Sequence, residues 1–164
     1  EKYQNVRGGF FQPGSYTVSA HVPLGAACGA TPDGRVAGEQ LADGGLSPMV
    51  GRDKNGPTAS LQSVSKLKNE LDTNGSLLNV KFSPSVLQGK LGLKKLSAYL
   101  RSFSRLGLQH IQFNVVDRAT LLDAQQHPEK YQNLVVRVAG YSAMFVELSK
   151  AIQDDIINRT EHVL

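Results

Sequence analysis

The sequence contains very little cysteine. Its one cysteine, Cys28, excludes a disulfide within the chain and fits a reducing compartment. No apolar stretch is long enough to span a membrane. The first residues, "EKYQNVRGGFFQPGSY", lack an initiator methionine and the charged-then-apolar pattern of a signal peptide. We therefore expect a cytoplasmic protein whose chain has been cut from a longer one.

Several signals of common chemistry are also missing. There is no Gly-x-x-x-x-Gly-Lys-Ser/Thr phosphate loop, no paired-cysteine metal motif and no Gly-x-Ser-x-Gly nucleophile elbow. The histidines show no metal-ligand spacing, so we predict no metal site and treat them as structural or surface residues: His21, His110, His127 and His162. We predict that the Asp154–Asp155 pair faces water on the last helix and is not an acid–base couple.

The net charge of +4 raises the question of an acidic partner. The basic residues are densest on one predicted helix: Lys90, Lys94, Lys95, Arg101 and Arg105. A nucleic-acid site would place such charges on one face, together with aromatic side chains for stacking. Tyr99 and Phe103 instead fall on or near the apolar side of this helix. We predict a solvated helix face and no nucleic-acid partner.

What is present is a globular composition. A chain of 164 residues can form one domain with a sizeable core. The first 60 residues are rich in Gly, Pro and Asp, which favour turns, and one short strand is predicted from Tyr16 to Val22. So long an irregular stretch usually forms functional loops or depends on missing neighbours. We therefore divide the chain into a loop-rich segment, 1–60, and a regular β/α segment, 61–164.

After Pro57 the sequence predicts alternating strands and helices. The predicted elements are a helix at 58–67 beginning with Thr58, a strand at 76–83, a helix at 93–106 capped by Gly107, a strand at 110–116, a helix at 119–126 ended by His127-Pro128, a strand at 134–138, and a last helix with Ser149 as its N-cap. Their apolar faces are predicted to contain Leu93, Leu96, Leu100 and Phe103, then Ile111, Phe113 and Val115, and finally Ile152, Ile156 and Val163.

Consecutive units of this kind form a parallel sheet with right-handed crossovers. The apolar run "LVVRV" at 134–138 is typical of a parallel strand covered on both faces. Three such strands do not close a barrel, so we expect part of a larger α/β structure.

Gly140 interrupts the apolar stretch "LVVRVAGYSAMFVEL" at 134–148. Glycine weakens a strand, and it usually marks a bulge or a place where something approaches the backbone closely. It also follows the carboxyl end of a predicted strand, where the chemistry of parallel α/β proteins gathers. The alternative is that Gly140 only supplies a turn with positive φ.

Several stretches of this sequence resemble the C-terminal region of the glycyl radical enzymes, the pyruvate formate-lyase superfamily. These stretches are "RGGFFQPGSYTVSAHV", "GATPDGRVAGEQLADGGLSP", "GPTASLQSVSKL", "LLNVKFSPSVLQG", "RVAGYSA" and "IQDDIINRTE". They follow one another in the family's order over nearly the whole chain. The resemblance implies an α/β fold, the C-terminal part of a ten-stranded β/α barrel with the radical-bearing loop at a strand end. It also implies a glycine radical domain at about 116–164.

In this family Gly140 matches the glycine that carries a radical on its α-carbon. Donation from its amide nitrogen and withdrawal by its carbonyl stabilise such a radical, and the flattened centre leaves no room for a Cβ. Because oxygen cleaves the chain at this radical, we expect Gly140 to be buried. The sleeve around it would be Val136, Val138, Met144, Phe145 and Val146, which would equally serve an ordinary core.

The resemblance assigns further roles to the residues beside Gly140. Arg137, Tyr141 and Ser142 match the flanking motif, which seats the loop and meets a separate activating enzyme; packing or turn formation is the alternative for each. That activating enzyme is an iron–sulfur protein that uses S-adenosylmethionine to remove one hydrogen atom, so the loop is expected to move. No cofactor is expected to bind this chain itself.

The family's catalytic cysteine lies far upstream, usually in a Cys-x-Glu pattern. Cys28 lies in "AACGATPDGR", a different motif, so we predict a small buried residue and expect an upstream part of the same enzyme to supply the thiol. Tyr16, Val18 and Val86 fall in segments that line the barrel in relatives and are candidates for the pocket wall, with core packing as the alternative.

"VAGYSA" resembles the glycerol or diol dehydratase and choline lyase branch more than the formate-lyase branch. The resemblance therefore implies elimination from a small hydroxylated or amine substrate, in a homodimer when whole and within the cytoplasm or a bacterial microcompartment. A pyruvate formate-lyase-like formate acetyltransferase, an autonomous radical-carrying repair subunit and an inert descendant are the alternatives.

Overall fold

The computed structural model describes residues 3–164, and this range contains five α-helices and five β-strands. The helices are α1 (His21–Ala26), α2 (Pro57–Val64), α3 (Gly89–Arg105), α4 (Arg118–Gln126) and α5 (Lys150–Asn158). The strands are β1 (Asn79–Phe82), β2 (Gln112–Val115), β3 (Val135–Arg137), β4 (Ser142–Met144) and β5 (Glu161–His162). Across residues 3–164, none of the helices combines the length and the apolar character needed to cross a membrane.

A parallel sheet with the order β2–β1–β5 forms the centre of the fold. Its register pairs Val80 with Phe113 and Phe82 with His162. The long helix α3 connects β1 to β2, as expected for a crossover between parallel neighbours. The predicted parallel sheet is confirmed, but its third strand is β5 and not the predicted strand at 134–138.

β3 and β4 form a separate antiparallel hairpin, in which Val136 pairs with Ala143. The prediction of a parallel strand at 134–138 is therefore wrong. Val136 and Val138 are buried because they belong to a core shared with α4 and α5, and not because helices cover both faces of a parallel strand. A short apolar run records burial alone, so it does not distinguish a parallel strand from one arm of a hairpin.

The segment before α1 corrects a second prediction, the strand from Tyr16 to Val22. Ser15 makes a single bridge to Ser76, and α1 already begins at His21. Between them Val18 has a φ of 53°, in the left-handed region. A strand requires a negative φ at every residue, so the extended segment ends before Val18.

Several helix boundaries also differ from the prediction: α2 ends at Val64 and not at 67, and α3 begins at Gly89 and not at 93. α2 begins at Pro57 and not at Thr58, because proline's fixed φ suits the first helical position and its missing N–H is not needed there. The last helix ends at Asn158, so Val163 lies beyond β5 and is exposed instead of packing with Ile152 and Ile156.

α3 ends as predicted, with Gly107 just beyond its cap at a φ of 72°. Its buried side is narrower than predicted and centres on Tyr99, while Leu93 and Leu100 are exposed. Val115, at the end of the edge strand β2, is also exposed. The basic residues predicted to be solvated are exposed: Lys90, Lys94, Lys95, Arg101 and Arg105.

The sheet has two chemically different faces, because successive side chains of a strand point to opposite sides. The apolar face packs against α2 and α3 in a cluster that we call the sheet core: Leu61, Val64, Leu78, Val80, Phe82, Tyr99 and Leu108. The opposite face carries polar side chains from β1 and β2: Asn79, Lys81, Gln112 and Asn114. The hairpin, α4 and α5 form a second cluster, the hairpin core: Val116, Leu121, Ala124, Val136, Val138, Phe145, Ile152, Ile156 and Ile157.

Lys81 ties the polar face of the sheet to the end of α5. Its Nζ donates to the carbonyl oxygens of Ile156 over 3.3 Å and of Ile157 over 3.1 Å. Burial lowers the pKa of Lys81 to about 8, although the charge of Glu161 acts in the opposite direction. The hairpin core therefore meets the sheet through hydrogen bonds at this point.

Candidate functional site

Gly140 lies at the tip of the β3–β4 hairpin. The amide of Val138 donates to the carbonyl of Tyr141 over 2.9 Å, so Ala139 and Gly140 form a two-residue tip. Gly140 has a φ of 83°, a conformation that favours glycine. The turn that we considered as the alternative reading of Gly140 is therefore present, and it leaves room for a chemical role as well.

Gly140 is exposed, whereas we expected it to be buried. Its neighbour Ala139 is fully buried, so the chain reaches the surface only at the last residue of the tip. Of the predicted sleeve, Val136, Val138 and Phe145 are buried. Met144 and Val146 are half-buried. The sleeve packs beneath the tip and leaves the outer side of Gly140 open.

An open pocket of about 370 Å³ lies against Gly140. Tyr16 and Val18, two of the candidates for the pocket wall, line it together with Tyr141, Leu77, Ala139, Gly75 and Ser76. Val86, the third candidate, lies in the turn Pro84–Leu87 and is not part of this lining. The lining contains no carboxylate, imidazole, amine or thiol from residues 3–164. Its polar side chains are the hydroxyls of Tyr16, Ser76 and Tyr141, so catalysis at Gly140 by any other ionisable group would need residues from elsewhere.

The predicted flanking residues bind across the hairpin. Arg137 donates from Nη1 to Ser142 Oγ over 3.1 Å, which joins the two arms below the tip. Its Nη2 donates to Gln112 Oε1 on β2 over 2.8 Å. Tyr141 is partly exposed and lines the pocket. Arg137 and Ser142 are therefore placed to support the loop, and Tyr141 is placed at its outer surface.

Three side chains that the sequence analysis did not select bind the backbone just before Gly140. Asn114 Oδ1 accepts from the amide of Arg137 over 2.8 Å, and Asn114 Nδ2 donates to the carbonyl of the same residue over 2.7 Å. Arg159 Nη1 donates to the carbonyl of Val138 over 2.8 Å. Asn79 Nδ2 donates to that carbonyl as well, over 3.3 Å.

Two buried carboxylates orient Arg159. Asp155 Oδ2 accepts from its Nη2 over 2.6 Å, and Asp43 Oδ2 lies 3.3 Å from its Nε in an ion pair that lacks hydrogen-bond geometry. His21 Nε2 lies 3.0 Å from Asp155 Oδ2. Asp43 also accepts from Asn79 Nδ2 over 2.6 Å. These contacts leave Nη1 of Arg159 directed at the hairpin.

Burial is the largest influence on the pKa of both carboxyl groups. It raises the pKa of Asp43 above its ordinary value, against the opposing charge of Arg159. Burial also acts to raise the pKa of Asp155, but the hydrogen bond to His21 and the charge of Arg159 outweigh it and leave that pKa lowered. Of the two carboxyl groups, Asp155 is therefore the one whose surroundings favour the charged form.

The prediction that the Asp154–Asp155 pair faces water is wrong for Asp155, which is fully buried. Asp154 is half-exposed and pairs with Lys150 over 3.3 Å. Helical spacing contained the missed signal: Asp155 stands three residues after Ile152 and four before Arg159, on the buried side of α5. An acidic and a basic residue at that spacing, on an apolar face, indicate a buried pair.

The remaining candidates lie away from the tip. Cys28 is half-buried in the loop after α1. His162 is buried 2.9 Å from Asp53, and His127 is exposed beside Glu129. Within residues 3–164, no group of His, Cys, Asp and Glu side chains could hold a metal ion.

Comparison with known proteins gives a consistent result. The family model described as "Glycine radical" matches residues 42–146. "Probable dehydratase YbiW" of Escherichia coli is 48% identical over 100% of this chain and 21% of its own length. "Isethionate sulfite-lyase" of Nitratidesulfovibrio vulgaris is 50% identical over 88% of this chain and 18% of its own length.

A solved structure shares the fold. The glycerol-bound B12-independent glycerol dehydratase from Clostridium butyricum superimposes with a TM-score of 0.94 at 56% identity, covering 99% of this chain and 21% of that one. The chain thus spans about a fifth of the length of the proteins that it matches. The family model covers more than half of the chain and includes the hairpin tip. This chain therefore belongs to the glycyl radical enzymes, and it contains their glycine radical region.

Proposed function

We propose that Gly140 stores a backbone radical for a larger enzyme. We call this enzyme the whole protein, meaning this chain together with any sequence that continues it. The observation that carries this proposal is the position of Gly140. It is an exposed glycine at a hairpin tip, within the matched region, beside a pocket whose described lining has no carboxylate, imidazole, amine or thiol. Such a lining suits the exchange of hydrogen atoms, because it is mostly apolar and its polar side chains are hydroxyls only.

In this proposal a separate activating enzyme, which uses S-adenosylmethionine and an iron–sulfur cluster, removes one hydrogen atom from the Gly140 α-carbon. The Gly140 radical then takes a hydrogen atom from a cysteine thiol, which restores glycine and leaves a thiyl radical. The thiyl radical takes a hydrogen atom from the substrate, and the substrate radical eliminates its leaving group. The product radical recovers a hydrogen atom from the thiol, and the thiyl radical left behind takes one from Gly140, so the stored radical is regenerated and the cycle consumes no electrons.

The thiol belongs to another part of the whole protein in this proposal. Cys28 does not line the pocket beside Gly140. It lies in the loop after α1, where its backbone amide donates a hydrogen bond to the carbonyl of Gly25. The chain would supply the late strands of a β/α barrel, and the Cys-bearing loop would reach Gly140 through the open side of the pocket. That approach would also supply the cover that Gly140 lacks here.

The reaction class that we propose is elimination from a small hydroxylated or otherwise substituted substrate. Relatives at about half identity are named for the loss of water or of sulfite, which supports a dehydratase or lyase. The glycerol dehydratase structure supports the same class. These names support the proposal more than they support formate acetyl transfer.

Electron paramagnetic resonance of the anaerobically activated whole protein tests this proposal. We expect a doublet from the single remaining α-hydrogen, and exposure to air should then release a fragment containing residues 141–164 on a denaturing gel. Gly140→Ala should abolish both results. Gly107→Ala is the matched control, since Gly107 also has positive φ but lies outside the hairpin. An unchanged doublet in Gly140→Ala, or an activated protein that stays full length in air, would refute the proposal.

A further inference from the structure

The strand β3, which leads to Gly140, is bound by side chains from the sheet strand β2 and from the end of helix α5. On the sheet side, Asn114 makes two hydrogen bonds to the backbone of Arg137. On the α5 side, Arg159 binds the carbonyl of Val138 at 2.8 Å and that of Arg137 at 3.4 Å. The backbone of Arg137 and Val138 therefore has hydrogen bonds to side chains on both the sheet side and the α5 side.

Asn114 takes the place of a neighbouring strand. Its side-chain amide donates to and accepts from one residue, which is the pattern that two paired strand residues exchange. It lies on the polar face of β2 and is buried, so water does not compete for these bonds. Within the described residues, the hairpin thus joins the central sheet through side chains, Asn114 among them, and without a strand-to-strand ladder.

Arg159 is held in one orientation by Asp155 and Asp43, which engage its Nη2 and Nε. A guanidinium has a planar fork of donors, so fixing two of its nitrogens also aims the third. A lysine at the same position could keep one ion pair, but it could not also reach the hairpin carbonyls in this geometry. The buried carboxylates therefore orient Arg159 toward the backbone carbonyl of Val138, two residues before Gly140.

The contacts that Asn114, Asn79 and Arg159 make with the backbone of the hairpin are polar, whereas the apolar side chains of the sheet and of the hairpin form two clusters. Separating the tip from its seat would exchange these hydrogen bonds for bonds to water, whereas Val136 and Phe145 belong to the hairpin core beneath the tip. Local openings of this kind need less free energy than global unfolding.

We propose that Asn114 and Arg159 are positioning residues that clamp the strand before Gly140 and set how readily the tip leaves its seat. Hydrogen exchange of the whole, non-activated protein tests the clamp without any radical. Asn114→Ala and Arg159→Lys should each raise the exchange rates of the amides in 134–145 by about tenfold or more, since each loses charged or paired hydrogen bonds. Exchange in α2 and α3 should change less than twofold.

Two matched controls separate clamping from general destabilisation. Asn69 is a buried amide that binds the carbonyls of Val64 and Leu67 beside the sheet core, and Arg118 binds the carbonyl of Ile157 at the end of α5 without touching the hairpin. Asn69→Ala and Arg118→Lys should leave the hairpin amides within twofold of their original rates. Equal acceleration in the controls, or acceleration throughout the protein in the clamp variants, would overturn the proposal.

A second readout rests on the proposed function. If opening of the tip precedes hydrogen removal, Asn114→Ala should raise the initial rate at which the activating enzyme installs the radical by several-fold. An unchanged or lower rate with faster hairpin exchange would overturn the role of the clamp in setting access to Gly140. No radical in the unaltered protein would contradict the proposed function instead, and the exchange results would still decide whether the clamp exists.

Discussion

Replacing Gly140 by alanine should weaken the hairpin tip only modestly. The new side chain must adopt a φ of 83°, which costs about 1–2 kcal/mol for a residue with a Cβ. The Cβ would lie 3.3 Å from Leu77 Cδ1 and 3.9 Å from Cδ2. Both atoms are at the flexible end of a side chain, so a small rotation of Leu77 relieves the contact. We therefore expect a loss close to the backbone cost alone, well below the cost of a core truncation at about 2–5 kcal/mol.

Native-state hydrogen exchange is the suitable assay, because it follows the hairpin amides by themselves, whereas an apparent Tm gives one value for the whole of a large protein. A loss of 1–2 kcal/mol corresponds to amides in 134–148 that exchange about 5- to 30-fold faster. Gly107→Ala provides the reference. Gly107 has a φ of 72° with no atom within 4 Å of an added Cβ, so it should show the backbone cost alone in peptides from the end of α3.

Two results would refute this reasoning. Unchanged exchange in the hairpin would mean that the tip does not hold residue 140 at positive φ. Acceleration of several hundred-fold, with Gly107→Ala still within the expected range, would mean that Leu77 cannot move aside. Either outcome matters for the radical test, since Gly140→Ala reports on chemistry only if the variant keeps its fold.

The remaining predictions concern two buried charges. For Lys81, the folded pKa of about 8 lies below the ordinary 10.5, so stability should rise between these pH values, because only the unfolded chain keeps the proton. The rise amounts to at most about 3 kcal/mol, and it should be absent when the apparent Tm of Lys81→Met is followed from pH 7 to 10. For Asp155, whose pKa is lowered, Asp155→Asn should cost about 3 kcal/mol by leaving Arg159 with one carboxylate. The difference in apparent Tm from the unaltered protein should stay constant from pH 8 to 5 and shrink only below about pH 4. A constant Lys81→Met difference across pH, or an Asp155→Asn loss that already shrinks at pH 6, would contradict these assignments.

The sequence predicted the parallel sheet because the strands of that sheet alternate in polarity and are joined by helical segments. The same alternation, in Phe113 and the flanking Gln112 and Asn114, shows which residues share a face. It does not show what covers that face. A polar face is normally assigned to water, and here the hairpin covers it, so the buried polar contacts of β2 were not predicted.

The clamp was also hidden because its partners are far apart in the chain. Asn114 and Arg137 are 23 residues apart, and His21 and Asp155 are 134 residues apart. No local pattern records such a pairing. Gly140, in contrast, was predicted from its own neighbours, because the glycine and the residues that flank it are contiguous in the chain.

The position of Gly140 within the chain has a practical consequence. The residues that follow it form β4, α5 and β5, and they supply Phe145, Ile156 and one strand of the central sheet. A single backbone break at residue 140 would therefore leave the C-terminal piece bound to the rest of the protein through its strand pairing and its core contacts. Such a nicked molecule would elute from a sizing column like an intact one, and its damage would become visible only after denaturation.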